Sequence, residues 1–182
     1  MIKNSLKAFL FCTFIFSSTA QAGLMFEPYL GYSFNGSIGE SSDDTDYNGL
    51  TYGARLGYQS LGLMFGADFS AQSLSVDNDN GADADFDKNQ IGIFVGYNAP
   101  ILFRFWATYF FTGSLEFDGA NQELTSGSGF ALGAGYTGLP FVSLNLEYRT
   151  VNYDEVEFAS MTQNADTDAK EILFSVSLPF NL

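Results

Sequence analysis

The sequence predicts an all-β fold: an eight-stranded antiparallel up-and-down transmembrane β-barrel, preceded by a cleaved signal peptide. Three observations lead to this prediction. Apolar and polar residues alternate with a period of two in many segments, the connections between these segments alternate between short and long, and the first residues resemble a secretory leader. The chain has 182 residues, a length typical of one domain. We assign residues 1–22 to the signal peptide and residues 23–182 to the barrel domain.

The N-terminus has the three parts of a signal peptide. Lys3 and Lys7 precede an apolar run over residues 8–18, and Ala20-Gln21-Ala22 is a small-x-small cleavage site. The alternative is an N-terminal membrane helix, but the apolar run is too short for one and lacks a stop-transfer flank. Because the sole cysteine, Cys12, lies in this segment, the mature chain would hold neither a disulfide nor a reactive thiol.

Eight later segments alternate as strands do, and they differ in how they are connected. Strands two and three, four and five, and six and seven are separated by only a few residues, whereas the other connections are long and polar. Short turns at one end and long loops at the other are the rule in outer-membrane barrels, but four such loops would be unusual in a compact soluble domain. We therefore place both termini in the periplasm. The predicted strands are residues 24–34, 50–59, 63–72, 90–97, 101–112, 129–136, 141–151 and 172–182, and the predicted loops are 35–49, 73–89, 113–128 and 152–169.

The last strand shows the most regular alternation, and it would close the barrel. Its apolar face is continuous over a length that can cross a bilayer. It resembles the C-terminal strand of small Gram-negative outer-membrane β-barrels of the OmpA/OmpX-like group, although these usually end in an aromatic residue and this chain ends in leucine. The apolar residues of this closing strand are Ile172, Phe174, Val176, Leu178, Phe180 and Leu182.

A Gly-Tyr pair recurs where three strands reach a short turn. Tyr58, Tyr97 and Tyr136 are 39 residues apart in each case, and one period is a hairpin plus one loop. These rings would face lipid at the periplasmic end, where an aromatic ring with a polar tip suits the headgroup region. The alternative is three ordinary tyrosines at strand ends.

Six charged residues lie on the small and polar face of the predicted strands. Arg104 decides the facing, since an arginine in contact with lipid at the midplane costs about 2–4 kcal/mol. We expect two lumen clusters, one near the periplasmic end (Glu27, Arg55 and Arg104) and one higher (Asp68, Glu147 and Arg149), with Met64, Phe94, Trp106 and Phe110 filling the remaining space. The charges would form a structural plug, with a gated pore or proton path as the alternative.

Most acidic residues fall in the predicted loops, which hold 17 of the 21. The densest run, residues 77–87, resembles a calcium loop but does not fit EF-hand spacing, because Val76 would occupy the position of the first aspartate. We expect a solvated loop without a metal site, with weak divalent binding as the alternative. The net charge of −14 argues against a nucleic-acid partner.

The sequence does not predict an enzyme or a cofactor. It contains no histidine, which removes histidine-based acid–base catalysis and the usual metal ligands. Asp68 and Glu147 are the only candidates for a carboxylate-dependent activity, and a paired lumen charge is the simpler interpretation.

The resemblance to OmpA/OmpX-like barrels covers residues 23–182 and rests on pattern rather than on a short motif. It implies an integral outer-membrane protein with a structural or surface-interaction role. Its partners would be outer-membrane lipid and lipopolysaccharide, the barrel-assembly machinery through the C-terminal strand, and an extracellular ligand at the loops.

Two alternatives remain open. The first is a narrow channel for small or hydrophobic solutes. The second is a soluble lipocalin-like ligand-binding barrel, which would carry its apolar face inside and its charges outside.

Overall fold

The computed structural model describes residues 22–39, 45–76, 84–117, 122–158 and 161–182, so nearly all of the predicted signal peptide lies outside the described residues. Eight long strands and one two-residue strand make up the described chain. No helix in these ranges is long and apolar enough to span a membrane. The strands are β1 Gly23–Gly39, β2 Thr45–Ser60, β3 Leu63–Val76, β4 Ala84–Asn98, β5 Phe103–Phe117, β6 Gln122–Leu139, β7 Val142–Phe158, β8 Met161–Ser177 and β9 Phe180–Asn181.

The strands form one closed antiparallel sheet. Each long strand from β2 to β7 pairs with the strands before and after it, and β1 pairs with β2 on one side and with β8 and β9 on the other. Paired residues followed from Leu24 around all eight long strands lead back to β1 at Phe34, a stagger of ten residues. Such a stagger tilts the strands against the barrel axis, as closure requires. The predicted eight-stranded up-and-down barrel is confirmed.

Two prolines interrupt the seam between the first and last strands. Pro28 and Pro179 lack an N–H and cannot donate to the ladder, and β8 ends just before this point. The same register continues past them, because Phe26 pairs with Phe180 in β9. The Leu178 N–H donates to the Pro28 carbonyl at 3.0 Å, so the seam is held across the interruption.

The outer wall carries the apolar face predicted for the strands. Large apolar side chains from every long strand are exposed there, among them Leu30, Ile93 and Leu132, and polar or charged side chains of the same strands point inward. The opposite arrangement, expected of a soluble lipocalin-like barrel, would have buried these residues.

The strands are longer than predicted, and the predicted loop bounds are wrong. Most of each predicted loop is strand, as in β4, which begins at Ala84, six residues before the prediction. The reason is an inversion of the pattern: beyond the apolar outer wall, it is the inward side chains that are apolar. Ten of these form one buried cluster: Ile38, Tyr47, Leu74, Phe86, Phe110, Leu115, Ala131, Val151, Tyr153 and Ala169.

The barrel interior therefore has three layers. Met25, Met64 and Phe94 form a small apolar cluster at the end with the short turns. Charged and polar side chains occupy the middle, and the larger apolar cluster fills the end with the extended strands. The middle layer is closed off by apolar side chains on both sides.

We predict that the extended ends of the strands are a packed core rather than mobile connections. Leu115→Ala removes a fully buried side chain and should lower the free energy of unfolding by about 2–5 kcal/mol. The neighbouring Ser114→Ala should change it by less than about 0.5 kcal/mol. Urea unfolding in phospholipid vesicles, followed by the fluorescence of the single tryptophan, measures both. Equal effects of the two substitutions would contradict the packing described above.

Candidate functional site in the barrel interior

The six charges singled out by the sequence all point into the barrel and are almost completely buried. Glu27 lies on β1, Arg55 on β2, Asp68 on β3 and Arg104 on β5, while Glu147 and Arg149 both lie on β7. Alternation along each strand sets this facing, because the neighbours of each charge point outward. Arg104 is 2% exposed, which places its guanidinium in the interior and not against lipid.

Arg55 is the centre of the charged layer, since it contacts three carboxylates. Its Nε donates to Asp68 Oδ2 at 3.0 Å, its Nη2 to Glu147 Oε2 at 2.7 Å and its Nη1 to Glu27 Oε1 at 3.5 Å. Glu27 and Asp68 are its direct cross-strand partners, whereas Glu147 lies on the opposite wall. The guanidinium also lies over the Trp106 ring, 4.5 Å from its centroid.

Arg104 makes the second bridge across the barrel. Both of its terminal nitrogens donate to the two carboxylate oxygens of Glu27, a two-point geometry that fixes both side chains. Its Nη2 also donates to Asn145 Oδ1 at 2.7 Å and to Ser177 Oγ at 3.0 Å. The first strand is thereby tied through side chains to β5, β7 and β8.

The expected division into two lumen clusters is wrong, because the six charges form a single network. Arg55 joins Glu27, assigned to the lower cluster, to Asp68 and Glu147, assigned to the upper one. Arg149 extends the network by an ion pair with Glu147. The strand tilt brings together residues that lie at different heights in the sequence pattern.

Two charges and an amide of this layer were missed by the sequence analysis. Lys88 and Glu171 form a buried ion pair at 3.1 Å, and Gln72 Nε2 donates to the same Glu171 oxygen at 2.9 Å. Lys88 lies in the predicted loop 73–89, and Glu171 lies just before the predicted strand 172–182. The signal that locates Lys88 is its even spacing from Phe94, which also points inward.

The interior charges balance. With Lys88 and Glu171 included, the described interior holds four cations (Arg55, Lys88, Arg104, Arg149) and four carboxylates (Glu27, Asp68, Glu147, Glu171), all at most 3% exposed. Each carboxylate contacts at least one cation. This satisfies the requirement that buried charges be paired.

The part of the lumen toward the short turns is filled. Glu27, Arg55 and Arg104, together with Trp106 and the apolar cluster below them, leave no space for a water molecule. The four side chains expected to fill the interior, Met64, Phe94, Trp106 and Phe110, are all at most 5% exposed.

Two inward-facing positions of β6 are glycines, and side chains from β5 occupy the space beside them. A Cβ at Gly133 would overlap the Trp106 ring, and one at Gly135 would lie 2.8 Å from Arg104 Nε. Two of the largest interior side chains therefore depend on the absence of side chains at these glycines. These two glycines thus have a packing role, because they face the interior.

The two carboxylates that are candidates for chemistry are held by more than one hydrogen-bond donor each. Glu147, a candidate for carboxylate chemistry, accepts hydrogen bonds from Arg55, Arg149 and Trp106. Asp68, the other candidate, accepts from Arg55 and from the Tyr29 hydroxyl at 2.9 Å. Among the described residues, no group of three or more histidine, cysteine, aspartate or glutamate side chains is arranged to hold a metal ion.

The residues assigned to the girdle and to the closing strand lie on the outer wall. Tyr58, Tyr97 and Tyr136 are all exposed near the short turns. Tyr58 packs against Phe65 and Tyr136 against Phe103, with ring centroids 6.0 and 5.5 Å apart. The named residues of the closing strand face outward, with Ile172 half-buried and the other five (Phe174, Val176, Leu178, Phe180, Leu182) exposed.

Comparisons with known proteins agree with this architecture. A family model described as an outer membrane protein beta-barrel domain matches residues 8–180. No curated protein matches the sequence.

Solved structures share the fold at low identity. Neisserial surface protein A is 18% identical with a TM-score of 0.56, covering 87% of this chain and 99% of its own. Ail, the attachment invasion locus protein of Yersinia pestis, is 12% identical with a TM-score of 0.57, covering 88% of this chain and 100% of its own. A second structure of Ail contains the heparin analogue sucrose octasulfate, and it is 12% identical with a TM-score of 0.56, covering 87% and 99% of the two chains.

We predict that Arg55→Met destabilises the protein strongly, since it removes the charge shared by three carboxylates but keeps much of the volume. The expected loss is about 3–5 kcal/mol of unfolding free energy, as for breaking other buried ion pairs. Adding Asp68→Asn should recover part of this loss, because one unpaired charge disappears.

Lys170→Met is the matched control for this prediction. Lys170 pairs with Asp168 at 3.9 Å on the exposed surface, and its removal should cost about 0–1 kcal/mol. Urea unfolding in vesicles measures all three variants. An Arg55→Met protein as stable as the control would show that the network does not hold the barrel together.

Proposed function

The chain belongs to the outer membrane protein β-barrel domain family, and on this premise we propose that it is a non-conducting outer-membrane barrel with a structural and surface-interaction role. The family sets its location in the outer membrane of a Gram-negative bacterium. The proposal concerns what the barrel does there: it closes its own lumen and presents an acidic surface at one end. It has no catalytic role in this proposal.

The proposed orientation in the membrane is based on the difference between the two ends of the barrel, which have short turns at one end and extended strands at the other. We place the short turns and both termini in the periplasm, with the signal peptide, residues 1–22, removed during export. The extended strands then project from the opposite side of the membrane. The short turns support this placement, since outer-membrane barrels have short periplasmic turns and longer external connections. In this orientation, the barrel-assembly machinery would receive the chain through its closing strand.

The observation that carries the proposal is the filled and electrically balanced interior. An eight-stranded barrel is only wide enough for side chains to fill, and here four cations neutralise four carboxylates between two apolar layers. A pore for ions would need polar space that continues through both apolar layers. The layer nearest the extended ends is formed by ten buried side chains, which argues against such a path.

The projecting end offers a negatively charged surface. Asp46, Asp87, Asp154 and Asp168 are exposed on four different strands there. The sequence holds further acidic residues in the segments 40–44, 77–83 and 118–121. We propose that this acidic rim contacts cationic partners, and that it reaches the anionic lipopolysaccharide only where divalent cations bridge the two. Negative charge of this density also repels polyanions.

We predict that the protein does not conduct. The processed protein, purified from the outer membrane of an expressing host and placed in planar bilayers, should give no steady single-channel openings. A known porin, reconstituted in the same way, should give steady openings, which shows that the assay can detect conduction. Reproducible openings of the wild-type protein would overturn the proposed plug and favour a narrow channel.

We also predict a ligand preference opposite to that of a polyanion-binding barrel. Ail has been solved with a heparin analogue, but this acidic chain should pass through a heparin column at low salt. It should be retained on a polylysine matrix and released as salt shortens the range of charge interactions. A dextran matrix without charge is the control. Retention on heparin, or no retention on polylysine, would contradict the role proposed for the acidic rim.

A further inference from the structure

A groove of about 950 Å³ runs across the outer wall of the barrel. It lies over four adjacent strands, β2 to β5, and eight of its lining residues form two rows of paired residues on the outer face. The row nearer the short turns is Ala54, Phe69, Ile91 and Thr112, and the row farther from them is Tyr52, Ala71, Asn89 and Ser114. Tyr29, Ser70 and Gln90, whose side chains point inward, also line the groove. Its volume is at the upper end of the range of about 300–1,000 Å³ typical of small-molecule sites.

The groove exists because small residues and a backbone irregularity coincide. Ala54 and Ala71 leave space between the larger side chains on either side of them. The register of β4 and β5 shifts next to Ile91, and Phe111 and Thr112 are both exposed although they are adjacent in sequence, as at a β-bulge. The wall is thus recessed here instead of being covered by alternating large side chains.

The strand pairing is also interrupted at one side of the groove. Between the pairs Phe110–Gly129 and Leu115–Leu124, the described strands β5 and β6 form no ladder pairs. Ser126, which lines the groove from β6, has a φ of +57°. The backbone of β5 and β6 is therefore less regular at this side of the groove.

The two ends of the groove differ in chemistry. Phe69, Ile91 and Ala54 make the end nearer the short turns apolar. Asn89, Ser114 and Ser126 make the other end polar, and Ser126 Oγ donates to Glu155 Oε2 at 2.7 Å. This carboxylate disfavours an anionic group at the polar end, whereas hydroxyl and amide side chains suit an uncharged carbonyl or hydroxyl.

We propose that the groove binds the acyl chain of a membrane lipid, with the uncharged ester, amide or hydroxyl group of that chain at the polar end. The occupant is a lipid because the groove opens on the exposed apolar wall, which faces the hydrocarbon core in this family. The proposal does not depend on the lumen or on the acidic rim. The barrel would hold one lipid in a fixed orientation instead of merely contacting a fluid lipid layer.

A second dent in the outer wall is the natural control. It measures about 330 Å³ and is lined by Leu132, Gly133, Ala134, Leu146, Tyr148 and Ile172. It lies on the same apolar wall, but it is smaller and has no cluster of polar side chains at one end. Lipid should contact it without a preferred orientation.

Photo-cross-linking tests the proposal directly. The processed protein is reconstituted into phosphatidylcholine vesicles that contain a fraction of phosphatidylcholine with a diazirine on one acyl chain, placed either near the ester or near the methyl end. Mass spectrometry then locates the cross-links. Cross-links per lipid should be enriched in the groove over the dent. The ester-proximal probe should label the side of Asn89 and Ser114, and the methyl-terminal probe the side of Ala54 and Phe69.

Two variants with apolar substitutions on the lipid-facing wall complete the test. Ala54→Leu/Ala71→Leu fills the groove and should reduce the ratio of groove to dent cross-links to parity. Ala134→Leu fills the dent and should leave labelling of the groove unchanged. The shift in gel mobility between unheated and heated samples checks that both variants remain folded.

Three results would overturn the proposal. These are equal labelling of groove and dent in the wild-type protein, labelling in which the two probes do not separate, and a ratio that survives filling of the groove. Because conduction and polylysine binding are measured separately, a failure here leaves the proposed function standing.

Discussion

The contact of Arg55 with three carboxylates is the interaction on which the interior depends. A guanidinium with five donors can hold three acceptors at once, and here the acceptors come from β1, β3 and β7. The narrow interior of an eight-stranded barrel forces these groups together, and pairing is what makes their burial tolerable. Two further cations bind the same carboxylates. Arg104 donates to both carboxylate oxygens of Glu27, and Arg149 donates to the Glu147 oxygen that Arg55 does not contact.

The fold was predictable because the membrane imposes a strict pattern on a barrel wall. Alternation located eight strands, and the cost of placing Arg104 in lipid decided which face points outward. That argument places Arg55 and Arg149 inside as well, and the structure has all three in the interior. Each inference needed only a local pattern and one energetic comparison.

Pairing across the barrel was not predictable in the same way. Arg55 meets Glu147 over a separation of 92 residues, and this contact depends on the stagger of the whole sheet, which no local pattern contains. Lys88 and Glu171 were missed for a different reason. They lie where the apolar residues pass from the outer face to the inner face, so a search for outward apolar alternation ends just before them.

The barrel thus combines two kinds of packing along one axis. Where the outer wall is apolar, the barrel follows the rule for membrane proteins, with polar side chains inside and apolar ones outside. Toward the extended ends it follows the rule for soluble proteins, with Leu74, Phe86 and Leu115 buried and aspartates exposed. Lys88 and Glu171 lie at the boundary, where polar interior meets apolar interior.

The bridges between opposite walls have a consequence for how the barrel is assembled. The ion pairs of Arg55 with Glu147 and of Arg104 with Glu27 join β2 to β7 and β5 to β1, so they form only when the sheet has curved round to meet itself. An unclosed sheet would keep Glu27 and Asp68 beside Arg55 as cross-strand neighbours, but the pairs of Arg55 with Glu147 and of Arg104 with Glu27 would be missing. These two ion pairs therefore favour the closed barrel over an open sheet.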